Sequence, residues 1–308
     1  MNRKSFWRLA AVSLVGALAL VACAVPPTAA PTSAGKLKAV ATFSFLGDFV
    51  KNVGGEKVDV VTLVGPGGDT HEFEPTPSDA AKIADAAVIF EDGLDFETWL
   101  PGMVESSGSK AVRIVTSEGV KTRNFTENGK QVTDPHIWQN VQNAIIMVKN
   151  IEAGLAKVDP TNAVTYKANA EAYIKTLEAL GKEVEAAANQ LPKEQRKIVT
   201  SHDALGYFAE RYGFTVEGSV IASLSTEAGE PSAQDIVKLV DAIKSTHTKA
   251  IFLESMSNPK LVERVAQEAG VKVGPELYTD ALGAAGSPGA TYVDALRYNV
   301  NAIIGALK

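Results

Sequence analysis

The stretch DPTNAVTYKANAEAYIKTLEALGKEVEAAANQLP, residues 159–192, separates two halves of the chain that share one pattern. Asp159 and Pro160 stand where a helix cap and a first helical residue belong, and Pro192 marks the end. The stretch therefore predicts one helix of about 30 residues, roughly 45 Å long. Its apolar residues recur every three or four positions and form a single stripe: Tyr166, Ala170, Tyr173, Leu177, Leu180, Val184, Ala187 and Leu191.

The unbroken stripe has two possible interpretations. It could be the seam of a coiled-coil dimer, or it could pack along both halves of its own chain. Alanine and tyrosine fill a coiled-coil seam poorly, so we favour the second interpretation. The prediction is a connecting helix over residues 159–191 that limits the freedom of the two lobes it joins.

The two flanking halves alternate short apolar runs with amphipathic ones. The predicted strands are KLKAVATF, KVDVVTLV, DAAVIFED and KAVRIVT in the first half, and KIVTS, FTVEGS, KAIFLES and VKVGPEL in the second. Helical patterns lie between them, and such alternation is typical of βαβ units around a parallel sheet. We expect an α/β protein with an N-terminal lobe over 36–158 and a C-terminal lobe over 192–308, each of about four β/α units.

The N-terminus has the order of a secretory signal. Arg3, Lys4 and Arg8 precede an apolar run that ends in LVAC, where Cys23 follows small residues as in a bacterial lipobox. We interpret residues 1–22 as a signal peptide, Cys23 as the lipidated residue and 23–35 as a flexible tether. The protein would then lie outside the cytoplasmic membrane, anchored to it by lipid. An ordinary signal peptide or an N-terminal membrane anchor is the alternative.

Charge and cysteine content exclude several classes of function. Removing residues 1–22 leaves 27 Lys and Arg against 36 Asp and Glu, a net charge of −9 without a basic cluster, which argues against nucleic acid as a partner. Cys23 is the only cysteine. The body of the chain therefore has no thiol for a disulfide or a thiolate metal site.

Three of the four histidines occupy loop or helix-start positions. His71 lies in HEFEPTPSD after a strand, His136 lies in TDPHIWQN, and His202 lies in IVTSHDALGYF after a strand of the other half. We expect Asp134 and Pro135 to begin one helix, and Ser201 to cap another. Loops after parallel strands gather at one edge of a sheet, so loops from two facing lobes converge on one cleft.

These positions predict a metal site. Imidazole suits zinc and neighbouring first-row metals, and Asp280 in ELYTDALG adds a carboxylate just after the last strand. Spacings of about 65, 66 and 78 residues fit no local zinc motif, so the sequence spacing alone is weak support. Glu254, at the end of a strand, is a candidate for orienting a ligand, although a salt bridge explains it equally well. His247, near a helix C-terminus, is expected to have no part in the site.

The segments HEFEPTPSD, DPHIWQN, TSHDALGYF and LYTDALG resemble, in order, the four metal-site segments of the TroA-like solute-binding lipoproteins. Members of that family deliver zinc or manganese to ABC importers. The resemblance covers about Lys36 to Lys308. It implies two (β/α)4 lobes with parallel sheets joined by one long helix, and an ABC importer permease as partner. It also implies that His71, His136, His202 and Asp280 are the metal ligands, two from each lobe.

Two departures from the family bear on the choice of metal. Many zinc-specific members carry a His-rich loop before the second histidine, whereas this chain has TSEGVKTRNFTENGKQVT there. Manganese-specific members often have glutamate at the third ligand position, where this chain has His202. We expect zinc as the transported ligand and leave manganese open.

The sequence thus predicts a monomeric extracytoplasmic metal receptor and not an enzyme. A secreted zinc-dependent hydrolase is the main alternative, but Asp280 would fill the coordination position that a catalytic water needs. Ser201 and His202 are adjacent in the chain and cannot form a serine–histidine pair. A binding protein for haem or a metal chelate is a further alternative with the same architecture.

Overall fold

Both halves of the chain build a parallel sheet with the same strand order. The computed structural model describes residues 35–127, 130–226, 231–254 and 259–308. Within these ranges the first sheet contains β1 (Leu37–Phe43), β2 (Val58–Val64), β3 (Val88–Glu91) and β4 (Val112–Val115). These strands lie in the order β2–β1–β3–β4 and pair in parallel.

A hairpin separates the first sheet from the second. Its strands β5 (Asn124–Glu127) and β6 (Lys130–Thr133) pair antiparallel. The second sheet contains β7 (Lys197–Thr200), β8 (Thr215–Ser219), β9 (Ala250–Glu254) and β10 (Lys272–Leu277). Its order, β10–β9–β7–β8, repeats the plan of the first sheet, with the first strand of each lobe inside and the second at an edge.

Helices alternate with the strands in both lobes. The first lobe contains α1 (Ser44–Gly54), α2 (Pro77–Asp85), α3 (Leu100–Ser107) and α4 (Val141–Val158). The connecting helix is α5 (Ala163–Ala188). The second lobe contains α6 (Gly206–Tyr212), α7 (Ala233–Thr246), α8 (Pro259–Ala269) and α9 (Tyr292–Leu307). The predicted α/β class, two (β/α)4 lobes with parallel sheets joined by one long helix, is confirmed.

Helix α5 buries its apolar stripe within its own chain. Every residue of the predicted stripe is buried, and the helix packs against α1 and α4 of the first lobe and against α6 and α9 of the second. At 26 residues, or about 39 Å, it is shorter than predicted. A 3₁₀ turn over Pro160–Asn162 precedes it. Its other end lies at Ala188, before Pro192. The buried Arg196 donates to the Leu191 carbonyl and to the Asn189 side chain just beyond this end.

One apolar core runs through both lobes by way of α5. Alternate residues of β1 show how it forms, since Ala39, Ala41 and Phe43 face this core while Val40 faces a smaller cluster beneath α2 and α3. The second lobe likewise has a separate outer cluster beneath α7 and α8. The inner faces of both sheets are thus joined through one core, which fixes the loops at their carboxyl ends.

The predicted boundaries at 36–158, 159–191 and 192–308 remain predictions, because residues 36–308 form one compact unit. The proposed signal peptide (1–22), the lipidated Cys23 and the tether up to residue 34 lie outside the described residues. Among the residues that are described, no helix combines the length and the apolar character that a membrane span requires.

Candidate metal centre

The carboxyl ends of the two sheets bring all four predicted ligands together. His71 follows β2, His202 follows β7 and Asp280 follows β10, while His136 lies between the hairpin and α4. One ligand atom from each of these residues lies within 4.8 Å of the others. Each side chain is buried, with His136, His202 and Asp280 fully enclosed and His71 8% exposed.

The carboxylate of Asp280 lies at the centre of the three rings. Its Oδ2 is 3.0 Å from His202 Nε2 and 3.4 Å from His71 Nε2, and its Oδ1 is 3.6 Å from His136 Nε2. The Nε2 atoms of His71 and His136 are 3.4 Å apart. Neither Asp280 oxygen has a well-aligned hydrogen bond within the described part of the chain. Three imidazole nitrogens that converge on one buried carboxylate are an arrangement suited to a cation.

Glu254 lies directly behind His202. Its Oε2 is 2.5 Å from His202 Nδ1, on the side of the ring away from Asp280. Its Oε1 accepts from the backbone N–H groups of Ser201 and His202, at 2.8 and 3.1 Å, and Thr279 Oγ1 donates to Oε2 at 2.9 Å. A carboxylate behind a ring in this way favours the tautomer with a free lone pair on Nε2.

Asp134 has the same relation to His136. Its Oδ1 lies 2.8 Å from His136 Nδ1 and also accepts from the backbone N–H of His136, at 2.9 Å. Its Oδ2 accepts from the guanidinium of Arg123. The sequence suggested Asp134 only as a helix cap, and this contact with the ring was missed.

The electrostatics of the site are dominated by the buried carboxylates Asp280, Glu254 and Asp134. Burial alone would lower the pKa of His136, but the charges of Asp280 and Asp134 outweigh it and raise that pKa to about 9. For His202, burial is likewise outweighed by Glu254 and Asp280, so its pKa is raised well above the usual value. Burial opposes ionisation of Asp280, yet the two histidines hold its pKa well below its usual range. The pocket favours positive charge at its centre.

Two predicted helix starts are wrong. Pro135 does not begin a helix, because a 3₁₀ turn over Ile137–Gln139 follows His136 and the side chain of Asn140 caps α4 instead. Ser201 caps no helix either. The chain makes bends after β7 and α6 begins only at Gly206, so the backbone N–H groups of Ser201 and His202 bond to Glu254.

The loop that carries His71 is held at both ends. Asp69 Oδ1 accepts from the N–H of His71 at 2.9 Å, and Trp99 Nε1 donates to the Thr70 carbonyl at 3.0 Å. Downstream, Thr76 and Asp79 form a reciprocal capping box at the start of α2. These bonds fix the loop on both sides of His71.

A cleft of about 410 Å³ leads to the site from solvent. Its walls come from both lobes and include Leu94, Phe96, Thr133 and Leu224. Of the four clustered residues, His71 alone lines this cleft among the residues described. His71 is therefore the candidate ligand that lies nearest to solvent through this cleft.

The loop that carries Asp280 is tied to the first lobe. Trp138 Nε1 and Gln139 Nε2 both donate to the Thr279 carbonyl, at 2.8 and 2.6 Å. Trp138 is fully buried beside His136, with ring centroids 5.4 Å apart. The segment DPHIWQN thus supplies a candidate ligand and also fixes the loop of another.

His247 lies apart from this cluster, as predicted. It is exposed at the C-terminus of α7, where it adopts φ +56° and its Nδ1 lies 3.2 Å from the Ser245 carbonyl. Glu72 and Glu74, which flank His71 in sequence, are exposed as well.

Comparisons with known proteins agree on one family. The family model for the zinc-uptake complex component A, periplasmic (ZnuA), matches residues 39–306. The manganese-binding lipoprotein MntA of Halalkalibacterium halodurans is 36% identical over 96% of this chain and 97% of its own length.

Solved structures give the same result. The periplasmic zinc binding protein TroA from Treponema pallidum superposes with a TM-score of 0.82 at 33% identity, over 89% of this chain and 99% of that one. A Mn-bound periplasmic metal binding protein from Candidatus Liberibacter asiaticus gives a TM-score of 0.80 at 28% identity, over 89% of this chain and all of that one.

Proposed function

Because the chain belongs to the family of the periplasmic zinc-uptake component ZnuA, we propose that it captures a divalent transition-metal ion outside the cytoplasm and delivers it to an ABC importer. The observation that carries this proposal is the convergence of three imidazoles on one buried carboxylate. We assign His71, His136, His202 and Asp280 as the ligands. Glu254 orients His202, and Asp134 orients His136.

We propose zinc as the preferred ion. Three nitrogen donors and one carboxylate suit zinc in both softness and number, and a given nitrogen–oxygen site binds zinc more tightly than manganese. Manganese remains the second candidate, because several relatives are named as manganese-binding or manganese-transporting lipoproteins and several solved structures contain manganese. Four protein ligands fill a tetrahedral ion and leave no position for a catalytic water, which favours a receptor over a hydrolase.

Metal competition tests this assignment. Untagged full-length protein, stripped of metal, should bind one zinc ion, and a large excess of manganese should be needed to displace it. Elemental analysis and competition with a chromophoric chelator measure both quantities. Tighter binding of manganese than of zinc would overturn the choice of ion, whereas no uptake of either would overturn the proposed function.

We further propose that Cys23 carries the lipid anchor, as the names of the relatives suggest for those proteins. Cys23→Ser should then leave the folded body and its metal affinity intact but release the protein from the membrane fraction. Cell fractionation with immunodetection measures this. Retention of the variant in membranes at the wild-type level would contradict lipidation at this residue.

A further inference from the structure

Arg123 stands at the base of the hairpin, opposite the residue that orients His136. The backbone N–H of Asp134 donates to the Arg123 carbonyl at 3.0 Å, and the Arg123 guanidinium donates through Nη1 to Asp134 Oδ2. The Asp134 side chain is fully buried, while 28% of the Arg123 side chain is exposed. The charge of a fully enclosed carboxylate is thus balanced by an arginine that is itself partly exposed to solvent.

The two oxygens of Asp134 have separate partners. Oδ1 contacts Nδ1 of the His136 ring and accepts from the His136 backbone N–H, and Oδ2 accepts from Arg123. Without the arginine, Oδ2 would be a buried charge lacking a partner, which costs enough free energy to move the side chain. Movement of Asp134 would release Nδ1 of His136, and with it the orientation of Nε2 toward Asp280.

The second lobe is shaped to receive Arg123. Gly206 begins α6, and a Cβ atom at this position would fall on the guanidinium of Arg123. The next residue, Tyr207, accepts from the Arg123 backbone N–H at 3.0 Å and donates to the Asp134 carbonyl at 2.9 Å. The Arg123 guanidinium carbon also lies 5.8 Å from the centre of the Tyr207 ring. The arginine therefore occupies a notch in the other lobe.

We propose that Arg123 is a positioning residue that couples the approach of the two lobes to the orientation of His136. The guanidinium reaches Asp134 while it lies in the Gly206 notch, so separation of the lobes would withdraw part of its support. Helix α6 starts four residues after His202, so the same contact joins the segments that carry a ligand from each lobe. This inference rests on the proposed metal-binding role of His136.

Two variants, one in each lobe, test whether the contact of Arg123 with the Gly206 notch influences His136. Arg123→Gln removes the charge and the bond to Asp134, whereas Gly206→Ala keeps every polar group and fills the notch, with a Cβ atom that would overlap the Arg123 guanidinium and lie 2.9 Å from Asp134 Oδ2. In the full-length protein, each should weaken zinc binding by about 10- to 100-fold, the range found when partners of metal ligands are removed. Zinc dissociation should be faster in both.

Arg113→Gln is the matched control. Arg113 makes a bidentate pair with Glu91 in the first lobe, through bonds of 2.9 and 2.6 Å, but does not contact Asp134 or the four clustered residues in the described structure. It should keep the wild-type zinc affinity even if it melts at a lower temperature. Loss of affinity in this control equal to that in Arg123→Gln would show a general effect of removing an arginine and overturn the inference.

The tautomer of His136 is a second readout, because it would not change if Arg123 had a purely structural role. In metal-free wild type, ¹⁵N spectra of labelled histidine should show His136 with its proton on Nδ1 or on both nitrogens. In Arg123→Gln and Gly206→Ala, signal from the tautomer with a bare Nδ1 should appear. Unchanged spectra together with affinity within about twofold of wild type would overturn the inference.

Failure of this inference can be told apart from failure of the proposed function. If wild type itself binds no metal, the proposed function fails. If wild type binds zinc and both variants bind it equally well, only the role of Arg123 fails. Should Arg123→Gln not fold, Gly206→Ala decides alone, because wild-type affinity in that variant would show that the notch has no influence.

Discussion

The two fully enclosed histidines each have a carboxylate on either side of the ring, and this arrangement sets their chemistry. His202 lies between Asp280 and Glu254, and His136 lies between Asp280 and Asp134. His71 contacts Asp280 but faces the cleft. A carboxylate next to Nδ1 of a histidine ring fixes the orientation of that ring before an ion binds. We therefore expect His136, His202 and Asp280 to form a preorganised set of three ligands, which His71 completes as the fourth.

Asp92 is a buried carboxylate outside this cluster. It follows β3, is fully enclosed, and has no hydrogen-bond partner for either carboxylate oxygen in the described part of the chain. Burial, together with the charges of Glu97, Asp134 and Glu91, raises the pKa of Asp92 well above its usual value. Burial also raises the pKa of the neighbouring Glu97, to about 7. The surroundings of Asp92 therefore favour its protonated form in the folded protein.

Asp92→Asn should therefore stabilise the metal-free protein, increasingly so as pH rises. A group whose pKa is higher in the folded state takes up a proton on folding. Its contribution to the stability of the fold is fully present below its unfolded pKa, near 3.8, and is lost as the pH rises above that value. Each pH unit between the unfolded and the folded pKa of Asp92 lowers the free energy of unfolding of the wild type by up to about 1.4 kcal/mol. Thermal melts from pH 5 to pH 8 should show a widening difference in Tm between variant and wild type.

The control for this experiment is Asp241→Asn, the same change at an exposed position of α7. It should give a small difference in Tm that does not vary with pH. A pH-independent difference in Asp92→Asn, or a variant that melts below wild type throughout, would show that Asp92 is ionised and paired in solution.

At the level of secondary structure, α5 is the element on which both lobes depend. Leu177 is fully buried on its stripe, and the helix contacts both lobes. Leu177→Ala should destabilise the whole protein by about 2–5 kcal/mol, because it leaves a cavity at the shared core. For a chain of this size the Tm should fall by roughly 5 to 15 °C. Leu177→Asp, which buries a carboxylate, should have a larger effect.

Calorimetry separates this account from a local effect. The whole transition should move to lower temperature in Leu177→Ala, while Val164→Asp, at a position of the same helix that is 84% exposed, should melt like wild type. A wild-type Tm in Leu177→Ala would mean that α5 does not carry the shared core. A first-lobe transition that moves while the second stays fixed would mean that the helix belongs to one lobe alone.

The strands and helices with strong periodicity were predicted from the sequence, but the hairpin was not, although the dipeptide of Asn128 and Gly129 is a common hairpin-turn signal. The inner strands of the two parallel sheets, such as β3 and β9, are short apolar runs whose burial follows from that composition, whereas the edge strands β4, β8 and β10 are more polar and more exposed. Residues 124–133 are mostly polar, and those of their side chains that are described are exposed or half-buried, so β5 and β6 carry little apolar alternation. The contacts of Arg123 with Asp134 and Tyr207 depend on that pairing and could not be foreseen.

The same limit applies to the site. The four candidate ligands could be identified because each lies in a distinctive segment after a strand or before a helix. The partners behind them were harder to identify, because a carboxylate such as Asp134 has an adequate local explanation as a cap. Glu254 was identified as a candidate since it ends a strand beside the site, but its bonds to Ser201 and Thr279 arise only from the tertiary structure.

For the whole molecule, we predict one buried ion that is bound by residues from both lobes. His71 and His136 come from the first lobe, and His202 and Asp280 from the second. Because each pair alone offers only two donors, neither lobe can complete the site without the other. The shared core along α5 keeps the two pairs close together, so we expect the metal-free protein to need only small movements on binding.

Calorimetric titration of zinc into metal-free His71→Ala, beside wild type and His247→Ala, tests the central claim most directly. His71 is the candidate ligand at the cleft, and its removal leaves the three enclosed residues in place. We predict one site in wild type, unchanged affinity in His247→Ala, and affinity at least about 100-fold weaker in His71→Ala, since a four-ligand site loses one of its donors. Wild-type affinity in His71→Ala, or loss of the bound ion in His247→Ala, would contradict the assignment of this site.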